Sequence, residues 1–343
     1  MDSGQRVQIN NMNYNLNPNL FLQNVEKKSA RAGFGDEVLE LAKQSKKVVV
    51  LDADLAESLR VIEFRKRFPA RFLEMGVSEN NMISVAAGLA LEGFIPYTCS
   101  FAVFTPGECL SKIRVSVAYN RANVKIIGSH AGVSTGPDGA THQATEDIAI
   151  MRSIPGMTVI APADYWQARR AVRSAFKING PVYIRFGRGD IPMVTTEKTP
   201  FRINECQILR EGVDGAILAH GESVYRALVA AEILQRDKKL DFAVINCHTI
   251  KPLDEKGILK YAKKTRAFVI AEDHQVAGGL GSAVSEFLAE NYPIPVQFVA
   301  VRDRFGESGS PEKLIKKYHI DIEDIVEAAT KIKERKRLFV YNR

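Results

Sequence analysis

Twice along this chain, short runs of β-branched residues alternate with amphipathic stretches, and a proline-bearing segment without periodicity separates the two series. KKVVVLDAD (46–54), NVKIIGSH (123–130), MTVIAPAD (157–164) and GPVYIRFGRGD (180–190) read as buried strands. Helical patterns over 80–92, 107–119, 143–153 and 164–178 lie between them. Strands that are apolar throughout, rather than on alternate residues, predict a largely parallel sheet covered by helices on both faces. After DIPMVTTEKTPFR (190–202) the alternation resumes with GAILAHG (215–221), a helix over 223–237, LDFAVINC (240–247), AFVIAEDH (267–274), a helix from 281 and PVQFVAV (295–301). The expectation is therefore α/β, with two α/β domains at 28–190 and 203–343, a linker at 191–202, and an Asn-rich arm over 1–27 that is flexible or ordered on a partner.

At 343 residues each domain can bury its own core. There is no apolar run of membrane-spanning length and no signal-peptide pattern at the start, so the expected location is cytoplasmic, with no membrane partner. The four cysteines show no CxxC pair and no metal-ligand spacing, which agrees with a reducing compartment and no metal site in this chain. The net charge of +7 is spread among acidic residues, and its densest cluster, KIKERKR at 331–337, falls on a C-terminal helix. That distribution speaks against nucleic acid and for small phosphorylated anions or an acidic partner subunit.

Ligands of parallel sheets sit beyond the carboxyl ends of the strands. Asp54, Phe101, His130 and Arg185 all fall at or near such ends. Two segments concentrate the chemistry there. In FLEMGVSENNMISVAAGLALEGFIPYTCSFAVF (72–104), Glu79 opens a helix too apolar to be solvated, and the following strand ends in Phe101 and Phe104. A carboxylate at the mouth of a buried helix needs a partner, or a proton, and then becomes an acid–base candidate. The aromatic pair is either core or a platform for a heterocycle. In SHAGVSTGPDGATHQATE (129–146), His130, Asp138 and His142 share one loop with three glycines, a pattern of substrate contact. P-loop, zincin and serine-hydrolase motifs are absent, and GGLGSA (278–283) reads as a helix-start turn.

These residues resemble the C-terminal section of transketolase, through SARAGFGDEVLELA, LDADLAES, EMGVSENNM, YTCSFAVF, SHAGVSTGPDGATHQATEDIAIMRSIPGMTVIAPAD and AEDHQVAGGLGSAVSE, in the family's order. The chain is similar, less closely, to 1-deoxy-xylulose-5-phosphate synthase and to the beta subunits of 2-oxo-acid dehydrogenases. The resemblance implies a pyrimidine-binding domain followed by a smaller, mixed-sheet C-terminal domain, acting with thiamine diphosphate on sugar phosphates of the pentose-phosphate type. It implies that Glu79 protonates the pyrimidine ring nitrogen, that Phe101 stacks on the ring with Phe104 behind it, and that Asp54 and Leu55 lie near the thiazolium. Arg31, Ser58, His130 and either Arg185 or Arg188 align with sugar-phosphate contacts. Asp138 and His142 align with contacts to sugar hydroxyls, His130 and His142 standing with Glu79 as the catalytic set. The GDG-to-Asn motif that holds a divalent cation such as Mg in this family is missing: Gly35-Asp36-Glu37 lies too early and inside a helix. The implied partner is a separate N-terminal transketolase subunit carrying the diphosphate site and the cation, in a heterotetramer around a homodimer core. The alternative of another class is a non-catalytic regulatory or interaction subunit.

Overall fold

The computed structural model describes residues 15–341, with side chains to 336. The first domain is built on a seven-stranded sheet. From one edge to the other its strands are Thr249–Lys251, Thr158–Ile160, Val182–Arg185, Lys125–Ser129, Ile95–Phe101, Val48–Asp52 and Phe72–Glu74. All neighbours are parallel except the first pair. Every residue of Val48–Asp52 and Lys125–Ser129 is buried, as apolar strands roofed on both faces must be. On one face the helix Ala30–Gln44 packs against Tyr165–Lys177, closely enough that a side chain on Gly33 would strike the Tyr165 carbonyl. Glu79–Leu91 covers the other face.

The edge strand Thr249–Lys251 comes from the second domain, and no sequence pattern announces it. Three residues are too few to establish a period, and the pairing with Thr158–Ile160 is a tertiary event. The stretch expected as a helix over 107–119 is one of wide π-type turns, Val103–Glu108 and Ile113–Tyr119, around Leu110–Lys112. Pro106 lies inside the first of them and lacks the amide that a regular α-turn would use.

The second domain holds a five-stranded sheet in the order Val296–Val301, Phe268–Gln275, Gly215–Ala219, Phe242–Asn246, Gln207–Arg210. The last strand alone is antiparallel, which makes the sheet mixed. The C-terminal helix Ile322–Tyr341 packs through Ile325, Ala329 and Ile332, while Lys333 and Lys336 of its basic cluster bind Asp214. No helix among the described residues is long and apolar enough to cross a membrane.

Residues 1–14 of the expected arm lie outside the described residues. Beyond them the chain is anchored rather than free. Asn17 donates from its backbone to Val194 and from its side chain to Met193, and Leu20 is buried in the second domain's core. The apolar residues set among the asparagines supply the anchor. The linker is equally fixed, since the buried Asp164 accepts from the Val194 amide and from the Thr195 hydroxyl.

Candidate active site

Glu79 is the first residue of its helix, just after a turn in which Gly76 takes φ +65°. It is only 7% exposed. Its Oε1 accepts the Ser100 hydroxyl at 2.9 Å, and Oε2 has no partner among the described residues. The strand Ile95–Phe101 explains the arrangement. Tyr97, Cys99 and Phe101 point into the cluster beneath Ala30–Gln44, so Ser100 points to the opposite face, where Glu79 waits. Ser100, the partner of Glu79, is a candidate site residue that sequence reasoning missed; its position in the alternation next to Phe101 was the available signal.

At the end of that strand four rings gather. Phe104 lies nearly parallel to Phe101, 5.9 Å between centroids. The His130 imidazole is stacked on Phe101 at 3.7 Å, and His142 meets Phe104 edge-on at 5.3 Å. Phe101 is 6% exposed, whereas Phe104 is half-buried. His130 occupies a face of Phe101, and Phe104 offers the more open one.

His130 has φ +56°, an unusual conformation for a residue with a side chain, and hydrogen-bonds Ser129 Oγ through Nδ1 at 2.8 Å. Burial, then the neighbouring Arg31, Arg188 and His142, lower its pKa to about 3. It is thus a neutral imidazole at pH 7. Asp138 and His142 are both half-buried; Asp138 faces Arg188 at 3.8 Å, and His142 bonds Thr141 Oγ1.

The two candidate arginines separate cleanly. Arg185 is buried, gives its Nε to both oxygens of Asp147 (3.1 and 2.9 Å) and its Nη2 to the Asp273 carbonyl. It is locked between the domains. Arg188, three residues later, has left the strand and stays half-exposed beside Asp138 and the Thr135 carbonyl. Arg31 bridges two backbone segments. Its guanidinium donates to the Ser58 and Arg188 carbonyls, and burial followed by repulsion from Arg60 and Arg188 lowers its pKa to about 10. It braces the segments of Ser58 and Arg188.

Asp54 and Leu55 follow the strand Val48–Asp52. Asp54 is exposed with φ +60°, its amide held by Glu74, while the Leu55 amide is capped by Asp52 at 2.7 Å. Asp52 is fully buried and its Oδ1 has no partner. Burial raises its pKa to about 7, with further upward pushes from Glu74 and Asp54 and a downward pull from the Leu55 amide. Neither Asp52 nor Glu74 stood out in the sequence. Among the described residues, no three His, Cys, Asp or Glu side chains are grouped as a metal site.

A buried carboxyl with one oxygen unpartnered, beside a half-open phenyl ring, fits a nitrogen heterocycle. Comparison with known proteins decides which. Residues 26–193 match the pyrimidine-binding domain of transketolase, and residues 204–325 match the transketolase C-terminal domain. The chain belongs to the transketolase family. It is 44% identical to a 6-deoxy-6-sulfo-D-fructose transketolase subunit from Clostridium sp., covering 89% of this chain and 95% of the relative. It is 36% identical to one of the subunits of an apulose-4-phosphate transketolase from Phocaeicola vulgatus, over 88% and 96% of the two chains. Among solved structures, a split-gene transketolase in the form of an inactive beta4 tetramer superposes with a TM-score of 0.84 at 44% identity, over 90% of this chain and 99% of that one. The chain is a C-terminal subunit of a split, two-component transketolase, a transferase, which implies an N-terminal partner subunit. The pyrimidine-binding domain implies thiamine diphosphate as the cofactor.

Proposed function

We propose that this subunit, joined to its N-terminal partner, transfers a two-carbon ketol unit from a ketose phosphate to an aldose phosphate. The observation that carries the reading is the convergence in one cleft of the Ser100-held Glu79 carboxyl, the half-open Phe104 ring and the His130–His142 loop. Thiamine diphosphate, when bound, supplies the nucleophilic carbon for cleaving and re-forming the carbon–carbon bond. Glu79 holds a proton at the pyrimidine ring nitrogen, with Ser100 fixing its rotamer. Phe104 carries the ring, and Phe101, backed by His130, supports Phe104. The exposed Asp54–Leu55 turn borders the cofactor.

On the sugar side, Asp138 and His142 take the hydroxyls. Arg188 is the guanidinium free to meet the anionic end, while Arg31 and Ser58 hold its backbone in place. His130 serves as a neutral hydrogen-bonding group, not as a charge. The partner subunit contributes the diphosphate site and its divalent cation, such as Mg, and the assembly is a heterotetramer around a homodimer of this chain. Four free, buried cysteines support a reducing, cytoplasmic setting.

Mixing the purified chain with its partner subunit and thiamine diphosphate tests the reading. Xylulose 5-phosphate plus ribose 5-phosphate is expected to turn over, and pyruvate plus glyceraldehyde 3-phosphate is not. Since relatives act on 6-deoxy-6-sulfo-D-fructose and apulose 4-phosphate, both belong in the donor panel. Robust activity of the chain without any partner, or turnover confined to the pyruvate pair, would overturn it.

A further inference from the structure

The loop that carries His130, Asp138 and His142 belongs to the first domain, but most of what fixes it belongs to the second. Gly132, at φ +86°, turns the amides of Val133 and Ser134 toward the same point, a concave arrangement suited to an anion. The carboxylate of Asp273 fills it: Oδ1 accepts from Val133 at 2.9 Å and Oδ2 from Ser134 at 3.1 Å. A side chain on Gly132 would begin 2.2 Å from Asp273 Oδ2, so only glycine leaves room for the clasp.

Asp273 stands near the end of the strand Phe268–Gln275, just past the stretch Phe268–Ala271 that is paired on both sides and where the register with Val296–Val301 shifts. Its carbonyl accepts from Arg185, which in turn grips Asp147 just past the far end of the loop. Gln275, two residues on, takes the Thr145 carbonyl with its amide and the Thr145 hydroxyl with its side chain. Midway, Gln143 donates to the Glu307 carbonyl. The loop is thus pinned near its start and at Gln143 and Thr145 from one domain, and of these contacts only that of Asp273 is charged.

We propose that Asp273 is a positioning residue for sugar turnover: through the Val133 and Ser134 amides it sets the loop that presents His130 and His142. The second domain is then a working part of the sugar side, although Asp273 itself touches no substrate. The catalytic consequence rests on the reading given under Proposed function; the clasp itself does not.

The test uses Asp273→Asn, which keeps the shape, can accept from one amide and turns an NH2 toward the other. In the reconstituted pair, kcat/KM for the ketose donor is expected to fall about 10- to 100-fold, the worth of one hydrogen bond to a charged group. The thiamine diphosphate concentration giving half-maximal reconstitution is expected to change several-fold less than the sugar dependence, because the loop reaches the cofactor side only through the His130 and His142 rings against Phe101 and Phe104 and not through Glu79 or Ser100. In the chain alone, hydrogen exchange at Val133 and Ser134 is expected to quicken about tenfold or more by the same argument, with Lys125–Ser129 unchanged. If Asp273→Asn does not fold, Gln275→Ala is expected to give the same split, about 3- to 10-fold, from its weaker neutral contact.

Unchanged exchange at Val133 and Ser134, or equal losses in sugar turnover and cofactor affinity, would overturn the proposal. A wild-type pair without ketol transfer sinks the functional reading instead, and the exchange result then judges the clasp by itself.

Discussion

The two sides of the cleft are held in opposite ways. Glu79 opens a helix of the first domain, Ser100 and Phe101 end the strand facing it, and Phe104 lies in the π-type turn that follows; the hydrogen bond and ring contacts described for them all come from the first domain. Beside them the rim is bare: Val77 is 82% exposed and Gly76 faces open space. The loop side is enclosed by Asp273, Gln275 and the 305–311 segment of the second domain. On the proposed reading, the cofactor side is the one the N-terminal partner closes.

The largest expected effect breaks the carboxylate side alone. Glu79→Gln keeps an oxygen for the Ser100 hydroxyl but cannot pass a proton. Turnover of the reconstituted pair should drop by about 10²- to 10⁴-fold, the usual contribution of a positioned acid–base group. The melting temperature of the chain should hardly move. Turnover within threefold of wild type would leave Glu79 a structural helix cap and return the non-catalytic reading to the front.

Arg185 and Arg188 sharpen the contrast on the loop side. Removing Arg185 as Arg185→Met strands the buried Asp147 with only the Tyr183 hydroxyl, so unfolding by denaturant should show a loss of about 3–5 kcal/mol. Arg188→Ala removes a half-exposed pair worth at most about 1 kcal/mol of stability, yet it should lower kcat/KM for the sugar phosphate by about tenfold or more. If both variants lose stability and neither changes the sugar dependence, the assignment of Arg188 to the substrate is wrong.

Most of the fold was legible because its strands are short, apolar and regularly interleaved with helices, and a period survives without any knowledge of contacts. Glu79 and the three polar residues of the loop were legible because they break such patterns. Other features were hidden by the same logic. Ser100 is an ordinary residue until the alternation of its strand is set against Glu79. Asp52 reads as a strand-end acid, and only its burial gives it a shifted proton. Arg185 and Arg188 lie three apart in sequence, and their separation into strut and free guanidinium depends on where the strand stops. The grip of Asp273 joins residues 140 apart, beyond the reach of any local pattern. Even the asparagine-rich start looked loose because Leu20 has no nearby period, although it is buried in a distant core.

The two sides should also part with pH. Burial and the neighbouring Arg31 and Arg188 hold the pKa of His130 down to about 3, so this imidazole contributes no charge change near pH 7. Asp52, beneath the Asp54–Leu55 turn, has its pKa raised from 3.8 to about 7. A carboxyl raised in the fold gives its full stability when protonated in both states, below pH 3.8, and loses it as pH rises toward 7. Relative to Asp52→Asn, the wild type should therefore lose up to about 1.4 kcal/mol per pH unit across that window, then level off. Any fixed penalty from the amide cancels, because only the slope is read. A difference independent of pH between 4 and 8 would show that Asp52 is ionised in the fold like any exposed acid.

The smallest effect decides which ring carries the cofactor. Phe101 has His130 stacked on it and little exposure, so Phe101→Leu disturbs a packed ring pair inside the core. Phe104 is half-open, so Phe104→Leu removes a face without opening a comparable cavity. Aromatic stacking contributes about 0.5–1.5 kcal/mol beyond area, a two- to tenfold change in affinity. Phe104→Leu should raise the thiamine diphosphate needed for half-maximal reconstitution by that factor, with the melting temperature nearly constant. Phe101→Leu should do the reverse, lowering the melting temperature and shifting cofactor affinity less. Were Phe101→Leu the variant that weakens the cofactor while the fold holds, the imidazole of His130 would have to leave the ring when the heterocycle arrives, and the loop side would then answer to the cofactor as well as to the sugar.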